Sequence, residues 1–218
     1  MASFPWFKHY PKGTPETIGA YEYQSLIELF EASSRKFADR VAFENFGKSM
    51  TFAEVDRLSN HFAAYLQNEL KLKKGDRIAI QMPNLLQFPI AFIGSLKAGL
   101  IVVNTNPLYT PREMEHQFND AGISAVVIVA NFAHNLEQIV SKIPAKHIIV
   151  THMGDMLGTL KGALVNFVVR RIKKMVPDFH LPMSISFKSA LAKGANLSLQ
   201  KPSVAIEDIA VLQYTGGT

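Results

Sequence analysis

Hydrophobic positions along this chain follow first a helical period, then two short extended runs, then a regular alternation of extended and helical stretches. Residues 23–38 set Leu26, Ile27, Leu29, Phe30 and Phe37 at spacings that share one helical face. Two short runs, 41–46 and 48–52, flank Gly47 and predict a β-hairpin. Thr51-Phe52-Ala53-Glu54 is a capping box, in which the threonine hydroxyl and the glutamate carboxylate each satisfy a backbone N–H of the other. Val55, Leu58, Phe62, Tyr65 and Leu66 carry a helix onward from it, toward an end near Lys73-Lys74-Gly75-Asp76.

From residue 77 the pattern predicts a strand at 77–82, a helix at 85–98 and a strand at 100–104. A helix opened by Thr110-Pro111-Arg112-Glu113 follows, joining a capping box to a proline at the first helical position. A strand at 125–130, a helix at 132–143 and a strand at 147–151 complete the series, and Pro89 either kinks its helix or sits in the first turn. Apolar strands alternating with helices predict an α/β fold, a mostly parallel sheet flanked by helices, behind a small N-terminal hairpin. Residues 152–200 break the alternation and read as an insertion-like segment before strand character resumes at 204–214. No repeat, low-complexity tract or internal domain boundary interrupts 1–218.

Composition narrows the function classes. With 48% hydrophobic residues in 218, the chain has enough apolar material for a substantial core. The absence of cysteine excludes disulfides, thiolate metal sites and a thiol nucleophile, and is compatible with a cytoplasmic setting. Neither a signal-type apolar core near the start nor an apolar run of spanning length is present. Seven histidines show no HExxH-type spacing, and no Gly-x-Ser-x-Gly elbow occurs, so metalloprotease and serine hydrolase readings are poor and no metal ligand is assigned.

The net charge of +5 is local rather than general: Lys161, Arg170, Arg171, Lys173 and Lys174 occur without an acidic neighbour. No basic-aromatic pattern points to nucleic acid. Written as a helix, residues 157–176 put Leu160, Leu164, Phe167, Val168, Ile172 and Met175 on one side, with Asn166, Arg170, Lys173 and Lys174 opposite. Two readings stand: a stripe packed on its own domain, or an interfacial helix that meets an anionic membrane surface.

The last residues, Tyr214-Thr215-Gly216-Gly217-Thr218, leave a strand-like run as a glycine and hydroxyl loop. Adjacent glycines let backbone N–H groups converge on an anion, and threonine hydroxyls can bond phosphate oxygens. Such a loop normally leads into a helix whose N-terminus completes the anion site, so the chain is expected to be the front part of a longer enzyme. It is not a Walker pattern, since no Gly-Lys-Ser/Thr follows.

Three separated segments strengthen this reading: Thr51-Phe52-Ala53-Glu54-Val55; Leu96-Lys97-Ala98-Gly99-Leu100 leading to Asn106-Pro107-Leu108-Tyr109-Thr110-Pro111-Arg112-Glu113; and Leu212-Gln213-Tyr214-Thr215-Gly216-Gly217-Thr218. Together they resemble the first three ordered motifs of the adenylate-forming superfamily. Tyr23-Gln24-Ser25-Leu26, Met82-Pro83-Asn84-Leu85-Leu86-Gln87 and Asn131-Phe132-Ala133-His134 extend the likeness to bacterial long-chain fatty acyl-CoA synthetases. The resemblance implies an N-terminal subdomain of an adenylate-forming enzyme, with substrates ATP, CoA and a long-chain fatty acid, and with Mg2+ as the metal.

It further implies that Tyr214, Thr215, Gly216, Gly217 and Thr218 begin the loop holding the β- and γ-phosphates. The adenine segment, the magnesium-binding glutamate, the ribose-binding aspartate and the lysine that serves adenylation then lie downstream. No catalytic residue falls in 1–218, and this stretch alone is expected to be inactive. A cytoplasmic enzyme, peripheral on the inner face of the cell membrane through 157–176, is the combined expectation. The alternatives are a medium-chain or aryl acid ligase of the same superfamily and a non-catalytic, membrane-associating α/β module. Thr51, Glu54 and Gly99 are read as structural, and Tyr109 and Arg112 receive no catalytic role.

Overall fold

The computed structural model describes residues 4–215. Helix α1 (Leu26–Lys36) begins at Ser25, whose hydroxyl accepts the Glu28 N–H at 3.1 Å. Strands β1 (Val41–Asn45) and β2 (Lys48–Thr51) pair antiparallel, and both turn residues, Phe46 and Gly47, have positive φ, 51° and 64°. Two left-handed residues in a row give the turn whose twist matches a hairpin, although a phenylalanine takes that conformation at a cost. Helix α2 (Phe52–Asn68) starts at the expected capping box, with Glu54 N to Thr51 Oγ1 at 3.2 Å and Thr51 N to Glu54 Oε2 at 2.9 Å.

The main sheet contains β3 (Arg77–Gln81), β4 (Ile101–Asn104), β5 (Ala125–Val129), β6 (His147–Thr151), β7 (Ser184–Ser186) and β8 (Val211–Gln213). They lie in the order β7-β6-β5-β3-β4-β8, every neighbouring pair parallel. Alternate residues serve opposite faces. Ile78, Ile80, Val102, Val127 and Ile149 enter one core, with α2, α3 (Gln87–Lys97) and α7 (Phe187–Gly194); Ala79, Val103, Val126, Ile128 and Val150 enter a second, with α4 (Pro111–Ala121) and α5 (Ala133–Glu137). Burial on both faces explains why these strands read as continuous apolar runs, and the α/β expectation holds. Pro89 occupies the first turn of α3, so the helix needs no kink.

Two glycines bring helices into backbone contact with α2. A Cβ on Gly94 of α3 would lie 2.8 Å from Ser59 O, and one on Gly194 of α7 only 1.9 Å from His61 O. Between α2 and α3, Lys97 is buried to 1% side-chain exposure, and its ammonium donates to Asp56 Oδ1 at 2.7 Å, Asn60 Oδ1 at 2.8 Å and Asp56 O at 3.1 Å.

Three expectations need correction. The helix expected at 132–143 is broken: α5 is flanked by 3-10 turns at Ala130–Phe132 and Val140–Lys142, and Ile139 N bonds Leu136 O, a tighter turn that sends both side chains into the second core. The strand expected at 204–214 is confined to β8, because Asp208 closes a turn: its carboxylate accepts the Ala205 N–H at 2.7 Å and pairs with Lys74 at 2.7 Å. Within 152–200 the alternation resumes, for β7 joins the sheet beside β6 and α7 follows it. Between β6 and β7, helix α6 (Thr159–Phe167) runs into a π-helical turn, Val168–Ile172.

Candidate functional site

All six strands being parallel, their carboxyl ends share one edge of the sheet. β4 and β5 leave opposite sides of β3, and ligands of such sheets bind outside the carboxyl ends, at this reversal of strand order. Tyr214 and Thr215 emerge from β8 at that edge; Gly216, Gly217 and Thr218 lie outside the described residues. The root of the loop is braced from β4 and α4. In the last parallel pair, Asn104 Nδ2 donates to Gln213 Oε1 at 3.0 Å, while Gln117 Nε2 on α4 donates to Asn104 O, also at 3.0 Å. The Tyr214 hydroxyl donates to Asp120 Oδ2 near the end of α4. Burial pushes the Tyr214 phenol up to about 12, and the Asp120 hydrogen bond and charge act in the same direction.

Three buried amide oxygens at these elements, Gln81 Oε1, Asn104 Oδ1 and Gln117 Oε1, have no hydrogen-bond donor among the described residues. They add hydrogen-bond acceptors to this edge, not positive charge. Among the described residues no three acidic or histidine side chains converge as a metal cage, so these residues do not fit a magnesium site. An apolar cavity of about 490 Å3 opens at the opposite edge, where Gly75 and Leu100 precede β3 and β4, with Leu26, Ile206 and Ile209 also lining it.

The other motif residues support the frame. Thr110 and Glu113 cap α4, and the backbone and hydroxyl of Thr110 hold the Glu113 carboxyl below its ordinary range. Gly99 has φ 83°, and a Cβ there would stand 3.0 Å from the Pro202 ring. Arg112 is exposed, and Tyr109 packs against the second core. Sequence reasoning missed Asp120; a carboxylate on a polar helix face gives no signal of a partner 94 residues away.

Asp155 explains how the basic segment is seated. Its carboxylate accepts from Thr151 Oγ1 at 3.1 Å and His152 N at 2.8 Å, and Asn166 of α6 bonds both Asp155, at 3.3 Å, and Gly154 N, at 2.7 Å. Gly154 and Gly162 meet with no space for a Cβ, each ideal Cβ lying 2.4 Å from the other's carbonyl oxygen. The inward face of α6 is therefore Gly162, Val165 and Asn166, and the apolar stripe points out: Leu160 is 87% exposed, Leu164 62%, Phe167 57% and Ile172 61%. Within residues 4–215 most of this stripe is uncovered, and Val168 is half-buried. Lys161 donates to Phe46 O and ties the segment to the hairpin tip. No helix among the described residues is long and apolar enough to cross a membrane.

A family pattern described as AMP-binding enzyme matches residues 30–218, which include all five loop residues. The chain belongs to this family. Curated relatives called long-chain-fatty-acid–CoA ligase are 56% identical in Salmonella typhimurium and 57% in Escherichia coli O157:H7, each over 213 residues and 98% of this chain. The chain spans only 38% of their length. Among solved structures, a long-chain-fatty-acid-CoA ligase from Archaeoglobus fulgidus matches 96% of this chain and 37% of its own, at TM-score 0.70 and 21% identity. An anthranilate CoA ligase in complex with anthranoyl-AMP matches 89% of this chain and 32% of its own, at TM-score 0.69 and 20% identity. Those two likenesses establish the fold.

Proposed function

We propose that this chain is the N-terminal part of a long-chain fatty acid–CoA ligase. In the reaction of the whole enzyme, a fatty carboxylate oxygen attacks the α-phosphorus of ATP, giving acyl-AMP and pyrophosphate. The CoA thiol sulfur then attacks the acyl carbon and AMP leaves, the thiol proton passing to solvent or base. The chain supplies the opening of the phosphate loop, Tyr214 to Thr218, whose described residues Tyr214 and Thr215 leave β8 at the carboxyl edge of the sheet. Its part is to position and stabilise polyphosphate charge, not to move protons. Mg2+ neutralises that charge when bound, and its ligands belong to the rest of the enzyme. The 218 residues alone complete neither step.

The observation that carries this reading is identity of 49–57% to six long-chain-fatty-acid–CoA ligases across 98% of the chain. Fold does not separate the substrate classes, since long-chain and aryl acid ligases match at TM-scores of 0.70 and 0.69; the sequence identity is what supports long-chain acids. Thioester formation from oleate, ATP and CoA tests it, comparing this chain with the chain extended through its natural reading frame. Activity in the extended protein alone is expected; extended protein that activates benzoate but no fatty acid overturns the substrate class.

We further propose a cytoplasmic enzyme that meets an anionic membrane surface, where fatty acids partition. Support comes from an outward apolar stripe on α6 beside Arg170, Arg171, Lys173 and Lys174, all exposed. Co-sedimentation with vesicles containing anionic lipid, reduced by charge reversal at Arg170, Lys173 and Lys174, is expected. Equal sedimentation of the reversed variant removes the charge argument.

A further inference from the structure

The tyrosine that opens the loop has its only proton committed. Tyr214 O–H donates to Asp120 Oδ2, its side chain packs against the second core, and the preceding residue, Gln213, is held by Asn104. A phenol carries one hydrogen, so while it bonds a carboxylate it has none to offer a phosphate oxygen. Asp120 is itself placed by α4, whose first turn is capped by Thr110 and Glu113 and whose Met114, Gln117, Phe118 and Ala121 are buried. Gln117 Nε2 further fastens that helix to Asn104 O at 3.0 Å.

We propose that Asp120 is a positioning residue for the phosphate loop, latching Tyr214 to α4 and taking its hydroxyl out of the set of phosphate donors. Thr215 is then the first side chain of the loop that can donate to a phosphate. The latch itself is independent of the ligase reading; its effect on ATP rests on that reading.

Two measurements separate them. In this chain, hydrogen exchange of the backbone amides at 211–215 reads the latch without any substrate. Asp120→Ala and Tyr214→Phe each accelerate exchange there by about three- to tenfold, the factor set by one hydrogen bond, while β3, β5 and β6 are unaffected. Unchanged exchange in both variants overturns the latch. In the extended enzyme, the two substitutions raise KM for ATP by a similar factor, the double variant raises it no further, and KM for oleate does not move. Asp120→Asn, whose amide oxygen still accepts the phenol proton, restores most of the loss. The contrary result is a lower KM for ATP in Asp120→Ala beside a higher one in Tyr214→Phe, for that pattern means the phenol donates to phosphate and Asp120 merely competes. If the extended protein forms no thioester with any acid, the ligase reading fails and hydrogen exchange alone decides the latch.

Discussion

Replacing Gly194 by alanine sets two effects of opposite sign against each other. Alanine in a helix is favoured over glycine by about 1 kcal/mol, so propensity alone makes the variant more stable. The Cβ, however, would sit 1.9 Å from His61 O, 2.7 Å from His61 C and 3.2 Å from Tyr65 Cβ. Those obstacles are mainly helical backbone, which cannot rotate away. Bringing the Cβ–oxygen distance to ordinary contact requires α7 to retreat by about 1 Å or more, and a gap of 0.5–1 Å forfeits about a quarter to a half of each contact's attraction. The α2–α7 seam includes Phe187 with its ring centroid 5.1 Å from that of Phe62, as well as buried Ala190 and Leu191.

Overpacking of a close contact costs about 1–3 kcal/mol, and this one belongs at the upper end because it is backbone against backbone. After the propensity gain, a net loss of about 2 kcal/mol remains. For a chain of this size that lowers Tm by about 4–8 °C in a circular dichroism melt. Gly19→Ala, at a position with no atom within 4 Å of the new Cβ, is the control and stays within about 0.5 kcal/mol of the parent. A Gly194→Ala protein as stable as the parent, or more stable, refutes the backbone contact.

At the buried lysine, removing Asp56 strands an ammonium whose side chain is 1% exposed, so Asp56→Ala costs about 3 kcal/mol, whereas Lys97→Met keeps the apolar stem and costs about 1 kcal/mol; urea melts that reverse this order contradict the argument. Thr51→Ala removes the hydroxyl that accepts the Glu54 N–H and lowers stability by about 1 kcal/mol, with Thr51→Ser recovering most of it in the same melts. His147 is held below its ordinary value of 6.5 by burial and then by Lys146, and His61 by burial and then by Arg57. On acidification the unfolded chain therefore takes up these protons first, so the stabilising contribution is complete above pH 6.5 and is lost as pH falls through the lowered folded values. Denaturation midpoints measured from pH 7.5 to 5 decline, and a His61→Gln, His147→Gln double variant declines less.

What the sequence makes legible is local or periodic. The boxes at Thr51–Glu54 and Thr110–Glu113 need only a spacing of three residues, and both cap as expected. The buried strands around Val126 and Ile149 advertise themselves because both faces are covered. Strand β7 is three residues, Ser-Ile-Ser, with one apolar side chain, and gives no signal until β6 supplies its partner. The basic segment shows the sharper limit. Its amphipathic stripe is readable, but the seating face is set by what can approach closely, and there Gly162 against Gly154 outranks the leucines. Of the loop, only Tyr214 and Thr215 fall within the described residues, and the partner of Tyr214 lies 94 positions earlier, beyond the reach of any pattern.

The position of β8 also sets an order of events in synthesis. Strands β3 to β6 are complete by Thr151, and β8 pairs with β4 only when Val211 has followed, about sixty residues later. At about 5–20 residues per second, the outer edge of β4 waits several seconds with its backbone groups unpaired. The segment that closes this edge is the one that carries the proposed phosphate loop. A nascent chain therefore covers the open edge of β4 and erects the base of its proposed nucleotide site in a single late step, so a ribosome stalled between those points leaves an α/β layer open for intermolecular strand addition.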